Sequence, residues 1–283
     1  MKKQKVCIIG SGLTGLVTAI TLSKLNLDVD LITSDNLKSL KKSNRTTAIS
    51  QNNFVFLKKK IGNNFLLNYL WPCTNMKLYT QSESKKFHEI FKLDKKESKK
   101  VMYMVKNFLL EELFIKYIKK SKTIKLKTKI KISEILNTGF LKSVRFKKKD
   151  SSKYNLIIVC TGGFSDLEKK IFKNDFLSRK YNEFSITAIL KHAQKKNNSS
   201  RQIFLNNEIF ALLPISKSTT SIVWSVKKNN YKNKSNLFLK NKIIFYAKNF
   251  YKKIKFSSDI EFSDLNFFIR KKYFNDRILL FGD

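Results

Sequence analysis

The sequence predicts an α/β fold in which an opening βαβ unit is combined with an antiparallel sheet. Three observations support this prediction. An apolar run over residues 6–9, long enough for a buried parallel strand, ends at the glycine pattern G-x-G-x-x-G. Apolar residues at helical spacing follow, and a second apolar run covers residues 29–32. From Tyr181 onward, strand-like segments follow one another at short spacing with turn signals between them, which is typical of an antiparallel sheet.

The glycine pattern consists of Gly10, Gly12 and Gly15, and it indicates a dinucleotide-binding turn. Gly10 permits the tight turn, Gly12 lets the backbone approach a pyrophosphate without a Cβ, and Gly15 lets the helix lie close to the strand. The phosphates would lie on the free N–H groups of the helix N-terminus. A glycine turn in another kind of α/β protein is one alternative. A secretory signal is a second, which the glycines disfavour because they interrupt its apolar core.

The remaining elements are predicted from periodicity and turn residues. A polar, lysine-rich connection follows the second strand, and Ser165 is expected to cap a short helix, with Glu168 at the capping-box position. Helical patterns cover residues 48–57, 101–119 and 237–251. Strands are predicted at 76–80 and 87–91 as a hairpin, at 123–135 and 140–146 as an antiparallel pair, at 156–160 as a buried strand, and at 277–281 as a final buried strand, while 260–269 is ambiguous.

Length and apolar content indicate a soluble or peripheral protein of roughly two domains, at about 150 residues each. The chain has 283 residues, and no apolar stretch reaches the roughly 18 residues that a membrane span needs. The cysteines, Cys7, Cys73 and Cys160, have no paired spacing. A reducing cytoplasm is therefore expected.

The formal net charge of +37 raises the question of nucleic-acid binding. Only six of the 58 basic residues are arginine, the residue suited to bidentate contacts with phosphates and bases. The lysines are spread along the whole chain, which fits a compositional drift toward A/T-rich codons. No specific nucleic-acid partner is expected, whereas a polycationic surface favours anionic membrane headgroups.

The sequence predicts neither a metal site nor a catalytic residue. It contains no H-E-x-x-H, no Cys/His metal spacing and no G-x-S-x-G. His88 and His192 are the only histidines, which makes a histidine-based catalytic pair a poor explanation.

Several segments, in this order, resemble the flavin-dependent aromatic hydroxylases of ubiquinone biosynthesis, which are relatives of p-hydroxybenzoate hydroxylase. The likeness is greatest to the branch that hydroxylates polyprenylated phenols such as 2-octaprenyl-6-methoxyphenol, and it covers nearly the whole chain. The matching segments are GSGLTGLVTAITLSKLNLDVDLI at the start, RTTAIS from Arg45, YMVKN ending at Asn107, LIIVCTGGFS through Ser165, RQIF from Arg201, ALLPI from Ala211, SIVWSV from Ser221 and RILLFGD at the end.

The resemblance implies a discontinuous, Rossmann-like FAD-binding domain with an inserted antiparallel-sheet substrate domain. The FAD domain would comprise residues 1–72, 100–180 and 265–283, and the substrate domain residues 73–99 and 181–264. In this arrangement Arg45 would lie along the cofactor near its pyrophosphate, or be a solvated loop cation. Asn107 would start a helix beside the flavin, or be a plain helix cap. Gly162, Gly282 and Asp283 would contact the cofactor, and His192 and Trp224 match family positions but are expected to be core residues.

The chain departs from the family pattern in three places. Where the family places an acid for the ribose hydroxyls, this chain has Thr33, with Asp35 two residues later as the residue that could reach round. The family motif A-D-G is Cys160-Thr161-Gly162 here, which removes a carboxylate. The family's G-D-A-A-H motif should continue past Asp283, so the chain is expected to be C-terminally truncated.

The expected function is FAD-dependent hydroxylation of a polyprenylated phenol with O2 and with NAD(P)H as the reductant. The expected setting is cytoplasmic, with peripheral docking on the inner face of the membrane and contacts to other ubiquinone-biosynthesis proteins. Two alternatives stay open: an inactive or truncated FAD-binding paralogue, and another flavoprotein of the superfamily, such as a prenyl-lipid reductase or a salicylate-type hydroxylase.

Overall fold

A computed structural model describes residues 3–37, 43–62, 68–94, 100–146, 151–162, 165–172 and 176–282. The helices are α1 Leu13–Leu22, α2 Gln51–Ile61, α3 Asn107–Lys120, α4 Asp166–Phe172, α5 Lys228–Tyr231 and α6 Asn236–Ala247. The strands are β1 Gln4–Ile9, β2 Leu27–Ile32, β3 Thr46–Ser50, β4 Trp71–Cys73, β5 Asn75–Gln81, β6 Phe87–Asp94, β7 Met102–Lys106, β8 Ile124–Lys127, β9 Ile132–Thr138, β10 Leu141–Phe146, β11 Ser151–Tyr154, β12 Leu156–Val159, β13 Phe176–Lys191, β14 Ser199–Leu205, β15 Glu208–Ser216, β16 Thr219–Lys227, β17 Lys255–Phe256, β18 Glu261–Arg270, β19 Phe274–Asn275 and β20 Ile278–Leu280.

The chain divides into two compact units. The first contains Met1–Lys41, Phe108–Arg179 and Phe268–Asp283, and the second contains Lys42–Asn107 and Lys180–Phe267. Residues 42–72 and 100–107, which the sequence prediction placed in the cofactor domain, fall in the second unit. The assignment of these units to a cofactor and a substrate domain stays a prediction.

The first unit is built on a parallel sheet with the order β19-β20-β12-β1-β2-β8. Strand β1 lies between β2 and β12 and is parallel to both, and only the short edge strand β19 runs antiparallel to its neighbour. The central strands are apolar runs because both faces are covered, so side chains such as Ile8 and Leu31 are fully buried. The sheet order reverses at β1, since β2 and β12 leave it on opposite sides.

A three-stranded antiparallel sheet, β9-β10-β11, packs its apolar side chains on this parallel sheet. Tyr154 at the end of β11 is buried, and its hydroxyl donates to Asp30 Oδ2 on β2 at 2.7 Å. Lys127 Nζ lies 2.9 Å from the same oxygen. Burial opposes ionisation of Asp30, but the contacts with Lys127 and Tyr154 prevail and hold the pKa of this carboxyl below its usual range.

The second unit contains the large antiparallel sheet, with the order β17-β13-β16-β15-β14-β5-β6 and with β18 paired to β13. Strand β14 pairs with β5 in parallel, whereas β13, β15 and β16 pair antiparallel along the middle of the sheet. One face carries large apolar side chains, including Phe210 and Trp224, against which Leu239, Ile243 and Ala247 of α6 pack. These side chains form the core of the unit.

A smaller sheet of the second unit has the order β3-β7-β4, and in the chain β3 leads directly into α2 and β7 leads directly into α3. Helix α2 begins at Gln51 because Ser50 caps it, its hydroxyl accepting from the N–H of Asn53 at 3.2 Å. Both sequence-predicted helices in this region started too early, since Ala48 lies in β3 and residues 102–106 form β7.

Elsewhere the sequence predictions are mostly confirmed, including the βαβ opening, the β5–β6 hairpin, the strands after Tyr181 and α6. The predicted pair over 123–135 and 140–146 is wrong in part, because β8 joins the parallel sheet beside β2 and only β9 pairs with β10. The ambiguous segment 260–269 is strand β18. Within the described ranges, every helix is too short or too polar to cross a membrane.

Candidate functional site

A cavity of about 790 Å3 opens at the carboxyl ends of the parallel strands of the first unit. It is lined by the glycine turn after β1, by the residues after β2 and β12, and by the end of β20. These strand ends meet where the sheet order reverses at β1. Crevices of this kind, outside the carboxyl ends of strands at a switch point, are where open α/β sheets bind ligands.

Two of the glycines in the turn are required by close backbone packing. Gly10 has a φ of +110°, and a Cβ there would lie 2.3 Å from the carbonyl oxygen of Cys160. A Cβ on Gly15 would lie 2.1 Å from the carbonyl oxygen of Gly10. Neither position can hold a larger residue unless the backbone shifts, so both glycines keep α1 tight against β1 and β12.

Gly12 differs from these two because its backbone is ordinary and its surroundings are open. Its φ is −65° and its ψ is 172°, values that any residue adopts, and a Cβ there would meet no atom within 4 Å. Gly12 lines the cavity and is the N-cap of α1, but no side chain caps this helix. The first N–H groups of α1 are thus left for a ligand, which fits an anionic group such as a pyrophosphate.

Asp35 lies beside this turn, held by two hydroxyl groups. Its Oδ2 accepts from Ser11 Oγ at 3.0 Å and from Thr33 Oγ1 at 3.2 Å, and the two hydroxyl oxygens are 2.9 Å apart. Thr33 also accepts from the N–H of Asp35 at 3.1 Å, which folds the chain back after β2. The carboxylate two residues beyond the strand is therefore placed at the cavity, where it can accept hydrogen bonds from ribose hydroxyls.

Thr161, which stands where the family motif has a carboxylate, is hydrogen-bonded to a buried ion pair. Its hydroxyl donates to Glu168 Oε1 at 2.5 Å, and Arg270 Nη2 donates to Glu168 Oε2 at 3.1 Å. Glu168 and Arg270 are 2% and 3% exposed, and Arg270 also lies over the ring of Phe268. A carboxylate therefore does reach this part of the site, although it comes from α4 and not from the strand end.

Of the other predicted cofactor residues, some line the cavity, one lies outside the described residues, and two belong to the second unit. Gly162, with a φ of +65°, and Gly282, with a φ of +94°, line the cavity, and a Cβ on Gly282 would lie 3.0 Å from Thr14 Oγ1. Asp283 lies outside the described residues. Arg45 and Asn107 belong to the second unit, so their predicted positions along the cofactor stay predictions.

Arg45 and Asn107 both have contacts within the second unit. The exposed guanidinium of Arg45 donates to Ser263 Oγ at 3.3 Å. Asn107 is the first residue of α3, as predicted, and its Oδ1 accepts from Thr47 Oγ1 at 2.6 Å. Arg45 and Asn107 are also joined through their backbones, the N–H of Asn107 donating to the carbonyl of Arg45 at 2.9 Å.

His192 and Trp224 are core residues, as expected. His192 is 6% exposed, stacks on Tyr251 and is within 3.0 Å of Thr220 Oγ1, and its burial lowers its pKa. Trp224 is fully buried and donates to Glu208. Burial also raises the pKa of Cys160, beside the glycine turn, to about 12, so this side chain is a neutral thiol.

Sequence reasoning did not identify Ser11 or the Glu168–Arg270 pair as parts of this site. Ser11 occupies a variable position of the glycine pattern, where its hydroxyl is not distinguished from any other small residue. Glu168 and Arg270 are 102 residues apart in the chain. One signal in the sequence could have indicated the pair. Thr161 occupies the position of a carboxylate in the family motif, which suggests a search for a carboxylate from another element.

The sequence matches no protein-family model and no curated protein sequence. Its fold is similar to that of several solved structures. One is p-nitrophenol 4-monooxygenase PnpA from Pseudomonas putida DLL-E4, with a TM-score of 0.76 and 14% identity, covering 99% of this chain and 72% of that one. Another is Klebsiella pneumoniae HpxO complexed with FAD and uric acid, with a TM-score of 0.75, 12% identity, and coverage of 98% and 72%.

A third similar structure is CtdE in complex with FAD, with a TM-score of 0.69 and 10% identity, covering 99% of this chain and 77% of that one. At such identities the likeness establishes the fold alone. It confirms the predicted fold class, an α/β chain in which a parallel sheet is combined with a large antiparallel sheet.

Proposed function

We propose that the chain binds FAD and belongs to a monooxygenase that hydroxylates an aromatic substrate. The observation that carries this proposal is the open space in front of Gly12, at the N-terminus of an uncapped helix that borders a cavity of about 790 Å3. The fold likeness to FAD-containing structures supports the choice of FAD over another dinucleotide.

The residues of the first unit fit the adenosine diphosphate part of FAD. The N–H groups at the start of α1 would hold the pyrophosphate, and Gly12 would let it approach the backbone. Asp35, oriented by Ser11 and Thr33, would accept the ribose hydroxyls. Gly162 and Gly282 would border the remainder of the cofactor. When bound, the flavin supplies the redox and oxygen chemistry.

The protein's own contribution would be binding, orientation and the exclusion of water. Glu168 Oε1 accepts a hydrogen bond from Thr161 Oγ1 at 2.5 Å, which would hold the backbone turn that ends in Gly162. Arg270 forms an ion pair with Glu168 at 3.1 Å, and both side chains are almost fully buried, so each is the other's charge partner in a site from which water is excluded. The thiol of Cys160 stays protonated, so it places no negative charge beside the pyrophosphate.

For the substrate we propose a polyprenylated phenol of ubiquinone biosynthesis, with O2 and NAD(P)H. The motifs RTTAIS and SIVWSV, which resemble that branch of the family, support this choice. A long prenyl tail calls for access from a membrane surface, for which the net charge of +37 is suited. Other ubiquinone-biosynthesis proteins are the proposed partners, and a cytoplasmic, peripherally bound location follows from the same reasoning.

Thr161 favours one alternative, an FAD-binding protein that does not hydroxylate, because it stands where the family has a carboxylate. A two-stage experiment separates the possibilities. Purified protein is first titrated with FAD and followed by flavin fluorescence. NAD(P)H oxidation is then measured with and without a prenylated phenol, and products are examined for one added oxygen atom.

Tight FAD binding together with phenol-dependent formation of a hydroxylated product is the expected result. FAD binding without phenol-dependent oxidation would favour the non-hydroxylating alternative. Absence of FAD binding would refute the proposal as a whole.

A further inference from the structure

Helix α6, Asn236–Ala247, is apolar on two faces. Leu239, Ile243 and Ala247 point into the core and pack on the large sheet of the second unit. On the other side, Leu237 is 69% exposed and Phe238 and Phe245 are each 43% exposed. A surface helix normally presents polar residues to water, so two exposed aromatic rings and a leucine on its outer face indicate a contact.

The exposed rings form a continuous stripe with basic ends. Phe238, Asn241, Phe245 and Lys248 follow a spacing of three and four residues, which places them along one side of the helix. Lys234 Nζ lies 5.3 Å from the centre of the Phe238 ring, and Lys248 Nζ lies 4.6 Å from the centre of the Phe245 ring. We name Lys234, Leu237, Phe238, Phe245 and Lys248 the α6 outer surface.

The charge around this surface has a single sign. Residues 209–258 contain eleven lysines and no acidic residue. Two acids from outside this segment, Glu208 and Asp264, pair with its residues Lys242 and Lys228. In the part of the chain that the structure describes, no carboxylate pairs with Lys234 or Lys248.

We propose that the α6 outer surface docks on an anionic phospholipid bilayer. Aromatic and aliphatic side chains would enter the boundary between headgroups and acyl chains, and the flanking lysines would contact lipid phosphates, which is the pattern of helices that lie in a membrane interface. A second copy of this chain fits less well, because the approach of two strongly cationic surfaces is electrostatically unfavourable. The inference makes the membrane contact proposed above specific, but it does not depend on flavin chemistry.

The test is co-sedimentation of the full chain with vesicles of phosphatidylcholine alone or of phosphatidylcholine mixed with phosphatidylglycerol. The wild type is expected to bind the mixed vesicles and to be released by salt. Removal of two lysine charges in K234A/K248A should weaken binding about 25-fold, from about fivefold for each basic residue. F238S/F245S should weaken it by about tenfold for each ring.

Matched control variants remove the same number of positive charges, or a comparable exposed aromatic surface, from outside the α6 outer surface. K125A/K153A removes the same charge from the first unit, and F140S removes a phenylalanine that is 86% exposed in the β9–β10 hairpin. Both should bind within about twofold of wild type, since neither lies on the α6 outer surface. Circular dichroism and FAD titration establish that each variant is folded, and they report on the proposed function separately from membrane binding.

Lack of wild-type binding to the mixed vesicles at low salt would overturn the proposal, as would an equal loss in the control variants. Self-association or RNA retention that is lost in F238S/F245S, without any vesicle binding, would assign the surface to a second copy or to RNA and would also overturn it.

Discussion

Replacement of Gly12 and of Gly15 by alanine should have opposite effects on stability and on cofactor binding. Each change adds one methyl group within the same turn, so the two variants are matched in chemistry. Their surroundings differ: a Cβ on Gly15 would lie 2.1 Å from the carbonyl oxygen of Gly10, whereas a Cβ on Gly12 would meet nothing within 4 Å.

For Gly15→Ala the added methyl group forces α1 away from β1. An overlap with backbone costs about 3 kcal/mol, the upper end for overpacking. Alanine regains about 1 kcal/mol through its higher helix propensity, so a net loss of about 2 kcal/mol of unfolding free energy is expected. Gly12→Ala should change the unfolding free energy by less than about 1 kcal/mol, because the lower entropy of the unfolded chain is offset by the poorer preference of alanine for the N-cap position.

For FAD affinity the two variants are expected to rank the other way, with Gly12→Ala the more damaging change. In Gly12→Ala the methyl group enters the cavity and keeps a pyrophosphate from the first N–H groups of α1. The charge-assisted hydrogen bonds lost in this way contribute about 3 kcal/mol to the binding free energy of FAD, so the dissociation constant for FAD should rise by about a hundredfold.

Urea unfolding followed by circular dichroism measures stability, and flavin fluorescence titration measures affinity. A Gly15→Ala protein as stable as wild type would refute the close packing of the turn. A Gly12→Ala protein that binds FAD as tightly as wild type would refute the placement of the pyrophosphate.

Four further predictions concern single side chains. Glu168→Leu should lower the unfolding free energy in urea by about 3–5 kcal/mol because it leaves Arg270 buried and uncompensated, and adding Arg270→Met should restore most of it; equal stability of the single and double variants would contradict this. Burial lowers the pKa of His192, so the unfolded chain takes up a proton first as the pH falls. The folded state therefore keeps its full stability from neutral His192 above about pH 6.5 and loses it as the pH falls further. The melting temperature of His192→Gln should consequently fall less steeply between neutral and acid pH than that of the wild type. Asp35→Asn should weaken binding of ADP about tenfold in calorimetry, through loss of a charged acceptor for ribose, with unchanged stability; unaltered affinity would argue against its ribose role. Ser50→Ala should cost about 1 kcal/mol in urea through loss of the α2 cap, and no loss would mean that the cap contributes nothing.

The sequence was sufficient to predict the βαβ opening because each of its signals is local. The apolar runs of β1 and β2 and the glycines between them are consecutive, and their spacing admits few other structures. It was insufficient at the starts of α2 and α3. Short strands such as β7, with three buried residues among its five, precede these helices directly, and periodicity does not distinguish such a strand from an extra helical turn.

Long-range contacts account for the rest of what the sequence missed. The alternating pattern of β8 fits an antiparallel pair as well as a parallel neighbour of β2, and the choice depends on where the chain crosses the sheet. The orientation of Asp35 depends on the Ser11 hydroxyl, 24 residues away. Glu168 reaches Thr161 within one turn region, but its charge is compensated only from β18, which no local pattern indicates.

The distribution of glycine is the strongest argument that the cavity is functional. A chain of 283 residues with only eight glycines places five of them, Gly10, Gly12, Gly15, Gly162 and Gly282, in or against the turns around one cavity. Packing explains Gly10 and Gly15, whose backbones touch their neighbours. It does not explain Gly12, where alanine would fit the backbone and meet no atom. A residue that the fold does not require, at the uncapped end of a helix facing a cavity, is explained by a ligand that needs the space. Gly12 therefore supports the cofactor proposal more directly than the fold likeness does, because it concerns this chain's own geometry.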